Sequence, residues 1–276
     1  MNYLDHFGLT ELPFNITPDT AFACHTSSHQ EALNTLVLAL DGGEGFIKIT
    51  GEVGTGKTLL CRRLLAATPA GVMTAYLPNP YLTPRSLMLA LAGELRIAVS
   101  ADTNDHRLLL KLNSKLLENA VADRRVVVCI DEAQAMPLET LECLRLLSNL
   151  ETEKSKLLQI VLFGQPELDV RLQEPSVRQL RQRIAFHYEL RGLSKEEVAA
   201  YTAHRLRVAG LKGEPIMSGG AIRALYRASR GTPRLINILA HKALLVAFGE
   251  GRHRVRFGDV RLAAKDTEGV KWVWWW

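Results

Sequence analysis

Residues 46–60 read FIKITGEVGTGKTLL, and this stretch decides the fold. Phe46–Thr50 is a short β-rich run, and the spacing after it predicts a helix over Lys57–Ala67. Between them, Gly51–Thr58 fits G-x-x-x-x-G-K-[ST] in the strand-then-helix context that the pattern requires. Its glycines let the backbone wrap a phosphate so that successive N–H groups point inward, and the helix N-terminus adds its positive end. The cradle therefore comprises Gly51, Glu52, Val53, Gly54, Thr55, Gly56, Lys57, Thr58 and Leu59. Lys57 is expected to reach the β- and γ-phosphates and the Thr58 hydroxyl to ligate Mg²⁺. ATP and Mg²⁺ are the expected ligands.

The second half of such a site lies at residues 126–132, VVVCIDE. A continuous apolar strand ending in two carboxylates places them at the C-terminal edge of a sheet, where α/β proteins bind ligands. Asp131 is the expected Mg²⁺ partner of Thr58, directly or through water. Glu132 is the expected base that polarises the attacking water.

Outward from these two segments the pattern alternates. Residues 28–40 read as an amphipathic helix stopped by Gly42 and Gly43, Val72–Leu77 as a strand, and 84–95 and 105–122 as helices. Val126–Ile130, Leu157–Phe163 and Ile184–Leu190 are further strands, with a helix from Pro137 to Leu150. Strands alternating with helices indicate an α/β fold with a doubly wound parallel sheet. After Gly192 the pattern becomes helical over Ser194–Ala209, Ser218–Ser229 and Pro233–Phe248. Ser194 with Glu197 is a capping box, and Pro233 sits at a first helical position. The expected organisation is an α/β nucleotide-binding core at 1–191, an all-helical lid at 192–265 and an aromatic tail at 266–276.

Composition narrows the class. The chain has 276 residues and 47% hydrophobic content with mean hydropathy near zero, which suits a globular protein and not a disordered one. The four cysteines are scattered without metal-ligand spacing, and three lie in apolar runs, so buried free thiols in a reducing compartment are expected. With no basic and apolar leader at the N-terminus and no run of about 18 apolar residues, a cytoplasmic location is expected. Charge is uneven: residues 1–170 carry 14 basic and 20 acidic side chains, and residues 171–265 carry 19 and 7. A basic second half suits phosphates, nucleic acid, an acidic neighbouring subunit or simply a solvated helical surface.

The ordered set GEVGTGKT, VVVCIDEAQ, LLQIVLFGQPEL, QLRQRI and RGTPRLIN resembles the AAA+ ATPases of the ExeA/GspA general secretion type. The N-terminal run YLDHFGLTELPFNITPDTAF is also similar, and the likeness spans residues 1–265. Within that family the pattern is nearest to the ATPases of MSHA-type pilus biogenesis. The resemblance implies an ATP hydrolase that works as a ring, a hexamer or another size, with pilus or secretion machinery as partners at the inner membrane. It implies roles for further residues. Gln165 stands where the family carries a polar sensor facing the γ-phosphate, although Asn, Thr or Ser is commoner there. Arg234 resembles the lid sensor that contacts phosphate from the same subunit, and a guanidinium suits a phosphate oxygen. Arg181 or Arg183 resembles the finger that reaches a neighbouring subunit's site. Leu12, Pro13 and Phe14 are candidates for packing on adenine, or for an apolar staple on the core.

Such relatives often continue into a membrane span and a peptidoglycan-binding domain. With the sequence ending at Trp276, cell-wall binding is not part of the expectation. The tail instead concentrates Trp272, Trp274, Trp275 and Trp276, residues favoured at membrane interfaces and protein hot spots. It is expected to make a peripheral membrane contact, to dock in a partner or to fold back on its own domain. Two other readings stay open. A DNA-associated ATPase of the transposition type (TniB-like) would use the basic residues 171–265 on phosphates, though no zinc finger or recognition-helix motif favours DNA. A slow nucleotide-dependent switch or scaffold would bind ATP and turn over little.

Overall fold

A computed structural model describes residues 3–15, 22, 27–100, 102–150 and 156–270. The tryptophan tail and Cys24 lie outside the described residues. Contacts divide the chain into two compact units, one of residues 31–52 and 57–190, the other of residues 1–30, 53–56 and 191–276.

The first unit is an α/β layer structure. Its five strands are β1 (Phe46–Gly51), β2 (Val72–Leu77), β3 (Arg125–Ile130), β4 (Gln159–Gly164) and β5 (Ile184–Leu190). All pair in parallel in the order β2-β3-β4-β1-β5. Strands β1 and β4 are buried along their whole length, as a parallel sheet covered on both faces requires. Alternate residues feed two cores. Phe46, Val128, Ile130, Ile160 and Leu162 enter one, together with Leu87, Leu91, Leu108, Leu112 and Leu141. Ile47, Ile49, Val127, Cys129, Val161 and Phe163 enter the other, with Leu36, Leu60 and Leu64. The helices that supply these partners are α2 (Ser27–Asp41), α3 (Lys57–Ala67), α4 (Pro84–Glu94), α5 (Asp105–Val121) and α6 (Leu138–Leu147), α1 (Tyr3–Phe7) belonging to the other unit. The Thr83 hydroxyl caps α4 by accepting from the Ser86 N–H, and the Asn104 side chain caps α5 by accepting from the Arg107 N–H. Each such cap contributes about 1 kcal/mol.

Two short helices, α7 (Glu167–Arg171) and α8 (Arg178–Arg183), follow β4; neither has an apolar periodicity long enough to read from sequence. The helix expected from Pro137 begins at Leu138, with a single 3-10 turn at Ala133–Ala135 ahead of it. Cys61 and Cys129 are buried free thiols and Cys143 is half-buried, as the apolar context of these runs implied.

The second unit is helical, with α9 (Lys195–Val208), α10 (Gly219–Ser229), α11 (Pro233–Gly249) and α12 (Phe257–Lys265). The Ser194–Glu197 capping box forms on α9. Helix α12 was not expected; its first turn is closed by Asp259, whose carboxylate accepts from the Arg256 N–H and from Arg252. One bridge pairs Met217 with Val255. The N-terminal residues Tyr3, Phe7, Leu9 and Phe14 pack into this unit's core beside Val198, Leu239, Ala243 and Val260. Among the described residues, no helix is long and apolar enough to cross a membrane.

Candidate active site

In a parallel sheet all strands end at the same edge, and here β1, β4 and β3 are consecutive neighbours. The ends of these strands therefore bring Gly51, Gln165 and Asp131 together from three distant parts of the sequence. Helix α3 starts at the same edge, directly after the glycine loop.

The loop backbone takes the form that its glycines permit. Gly54 and Gly56 have φ of 82° and 98°, a region that L side chains avoid. Both are also closely approached. A Cβ on Gly54 would lie 2.4 Å from Cβ of Arg234, and one on Gly56 would lie 2.6 Å from Nε2 of His29. The Arg234 N–H donates to the Gly54 carbonyl at 3.3 Å, so the first turn of α11 is held against the loop, while Arg234 as a residue is exposed.

Lys57 is 5% exposed. Its Nζ donates to the carbonyls of Gly51 at 2.7 Å and Glu52 at 3.0 Å. Burial pulls its pKa down, against the fields of Glu132, Asp131, Glu52 and Glu167. An ammonium desolvated in this way and held over the loop is placed to meet an anion. Thr58, one residue on, donates its hydroxyl to Oδ2 of Asp131 at 2.7 Å. Asp131 is 3% exposed. Its Oδ1 accepts from the Glu132 N–H at 3.0 Å, and its Oδ2 also receives the Tyr76 hydroxyl at 3.5 Å. Burial and the Asp131 charge push Tyr76 up to about 12.

Glu132 has a left-handed backbone, φ 52° and ψ 37°, which is uncommon for a residue with a side chain and costs of order 1 kcal/mol or more. The turn projects its carboxylate toward two amides. Gln134 Nε2 donates to its Oε2 at 2.6 Å and Gln165 Nε2 to the same oxygen at 3.1 Å. Burial alone would raise the pKa of Glu132; the two amide donors and Lys57 outweigh it and hold the carboxylate below its usual range. A partly buried, ionised carboxylate at the end of a sheet can accept a proton from a water.

The residues fit a nucleotide and its metal. The positive-φ glycines and the start of α3 make the anion cradle, and the Thr58 hydroxyl and Asp131 carboxylate, in contact with each other, are the hard oxygen donors that Mg²⁺ takes. Thus Lys57, Thr58, Asp131, Glu132 and Gln165 converge. Arg183 and Arg181 are exposed on α8. Arg183 donates to Oγ of Ser148 at 2.9 Å, whereas the Arg181 side chain has no hydrogen-bond partner among the described residues, its carbonyl accepting from the Ile184 N–H. Of the adenine candidates, Leu12 is exposed and Pro13 and Phe14 are buried in the helical unit, where the Pro13 carbonyl accepts from Nε of the buried Arg205 at 2.6 Å.

Tyr76, Gln134 and His29 were not anticipated as site residues. Only Gln134 carried a signal, as a polar side chain two positions past the expected base. Tyr76 and His29 are placed by packing.

Comparison with known proteins agrees with this fold. Residues 40–172 match the AAA domain family. Cdc6p from Pyrobaculum aerophilum is 20% identical and superposes with a TM-score of 0.67, covering 91% of this chain and 71% of its own. Residues 40–172 therefore lie in a P-loop fold of the kind found in AAA domains. The Aeropyrum pernix ORC2 protein in its ADPNP-ADP complexes shares the fold as well, with a TM-score of 0.61, 18% identity and coverage of 92% of this chain and 73% of ORC2. In sequence, the chain is 44% identical over 269 residues to the General secretion pathway protein A of Aeromonas hydrophila. The match takes in 98% of this chain but 49% of that protein, so the chain spans about half the length of that relative.

Proposed function

We propose that this chain is an AAA+ ATPase that binds and hydrolyses Mg-ATP. One observation carries the reading: Thr58 on Asp131, and Glu132 held beside Gln165, at the end of a glycine loop whose lysine is buried. In this reading the loop N–H groups and Lys57 bind the phosphates, while Thr58 and Asp131 hold Mg²⁺, which when bound supplies charge neutralisation on the phosphate oxygens. Glu132 accepts the proton of the attacking water, and Gln165 orients that water, as an amide can. Arg234, held on Gly54 through its backbone, supplies a guanidinium to phosphate from within the lid, residues 192–265. Arg181 or Arg183 supplies the charge that a neighbouring subunit's site lacks, which makes turnover a property of a ring.

The cellular role follows the general secretion relative. We place the ATPase with secretion-channel assembly or type IV pilus biogenesis at the inner membrane, nearest in pattern to the MSHA pilus ATPase MshM, with the tryptophan tail as a peripheral membrane or partner contact.

Glu132→Gln tests the chemistry. The variant should bind ATP with parental affinity while turnover falls by about 100-fold or more. Phosphate release at the parental rate would remove Glu132 from the role of base.

A further inference from the structure

Gln134 makes two hydrogen bonds that join parts of the site remote in sequence. Its Nε2 donates to Oε2 of Glu132 at 2.6 Å, and its Oε1 accepts from the Gln165 N–H at 3.0 Å. The amide sits only one way round. Reversed, its NH₂ would face a backbone N–H and its carbonyl would face a carboxylate, two repulsive contacts in place of two bonds. The left-handed backbone of Glu132 and the 3-10 turn Ala133–Ala135 fold the chain back so that this side chain returns to the carboxylate. Gly164 leaves the room: a Cβ there would lie 2.7 Å from Cδ2 of Leu168 and 3.4 Å from Oε1 of Gln134.

We propose that Gln134 is the positioning residue for Glu132, tying the catalytic carboxylate to the first residue after β4. The inference rests on the reading of Glu132 as base. Two donors on Oε2, from Gln134 and Gln165, fix the rotation of the carboxylate and leave the lone pairs of Oε1 for the water. Gln165 then governs Glu132 twice, through its own amide and through its backbone N–H by way of Gln134. A displacement of the segment after β4 therefore turns the base, and the sensor position and the base act as one element.

The test uses the full chain with Gln134→Met, which keeps the length of the side chain and removes both bonds, and Gln134→Glu, which keeps an acceptor for the Gln165 N–H but sets a carboxylate against Glu132. Turnover is measured at saturating ATP, and affinity with a fluorescent ATP analogue. Gln134→Met should lose roughly 10- to 100-fold in kcat, the range for a hydrogen bond to a charged group, with affinity within about twofold. Gln134→Glu should be slower still, whereas a residue that only braced the Gln165 backbone would make the Glu variant the better of the two. In a Glu132→Gln background, Gln134→Met should cost nothing more. Parental turnover in Gln134→Met while Glu132→Gln is inactive, or a Glu variant faster than the Met variant, would overturn the proposal. Failure of the base reading shows separately, as parental turnover in Glu132→Gln.

Discussion

The α/β unit and the helical unit handle polar groups in opposite ways. In the helical unit the helix ends follow the local rules. Ser194 and Glu197 satisfy each other at the start of α9, Ser218 caps α10, and the left-handed Arg230 stands at a helix C-cap, where that conformation is common. Its buried Asp259 is matched by Arg252 at 2.7 and 2.8 Å. In the α/β unit the helix caps are as regular, as at Thr83 and Asn104, but at one edge of its sheet the rules are broken. There the chain buries an ammonium at Lys57, turns Glu132 into a left-handed conformation, and aims two amides at one carboxylate oxygen. Strain and desolvated charge persist only where the surrounding structure over-determines them. The difference sets the residues that close helix ends apart from those proposed for the chemistry.

The comparison breaks most visibly at Lys57. Lys57→Ala should abolish ATP binding measured by equilibrium titration while the protein still unfolds cooperatively, because the lost group is a desolvated cation and not a packing element. Retained affinity would remove the phosphate-loop assignment. The next effect is in the exposed arginines of α8. Arg181→Ala or Arg183→Ala should lower turnover by orders of magnitude with little change in stability, since both residues are exposed and, apart from the Arg183 bond to Ser148, the loss is the charge proposed for a neighbouring subunit's transition state. Mixing either variant with Glu132→Gln protein should restore part of the activity if sites are shared among subunits. Activity that stays at the sum of the two separate proteins would assign both arginines to their own subunit.

Smaller effects should appear in the helical unit, and in stability alone. Ser194→Ala removes the reciprocal cap and should cost about 1 kcal/mol in chemical denaturation, without altering ATP affinity. An ATP affinity that moved with it would blur the distinction between the units. Asp259 provides the pH arm. Burial acts to raise its pKa, and the hydrogen bonds from Arg252 and from the Arg256 N–H overcome this, so the folded value is depressed. A depressed carboxylate stabilises the fold above its unfolded pKa of about 3.9, and that contribution is lost as pH falls through the folded value. Asp259→Asn should therefore flatten the acid side of the stability curve below about pH 4. A curve that keeps its slope would shift the acid sensitivity to other carboxylates.

Much of the fold was legible because its signals are local. The strand-loop-helix at 46–67, the apolar run ending in Asp131 and Glu132, the capping box at Ser194 and the proline opening α11 each depend on residues within a few positions of one another. The short helices α7 and α8 were not legible, because five or six residues cannot show a helical period. Helix α12 escaped because its start is fixed by Arg252 and Asp259 and not by a Ser or Thr cap. The N-terminal residues Tyr3, Phe7 and Phe14 show an apolar character in sequence, but only packing shows that they enter the core of the helical unit.

By itself the sequence determined that a glycine loop opens a helix and that two carboxylates end a buried strand. These follow from glycine conformations and apolar runs, which need no distant partner. Only the tertiary structure decided which oxygen faces which donor. The order of β3, β4 and β1 sets Thr58 on Asp131 and Gln165 on Glu132, because neighbouring parallel strands must end at a common edge, and the turn after Glu132 returns Gln134 to the same carboxylate. The proposed chemistry depends on that edge, where hydrogen bonds join residues between one and more than seventy positions apart.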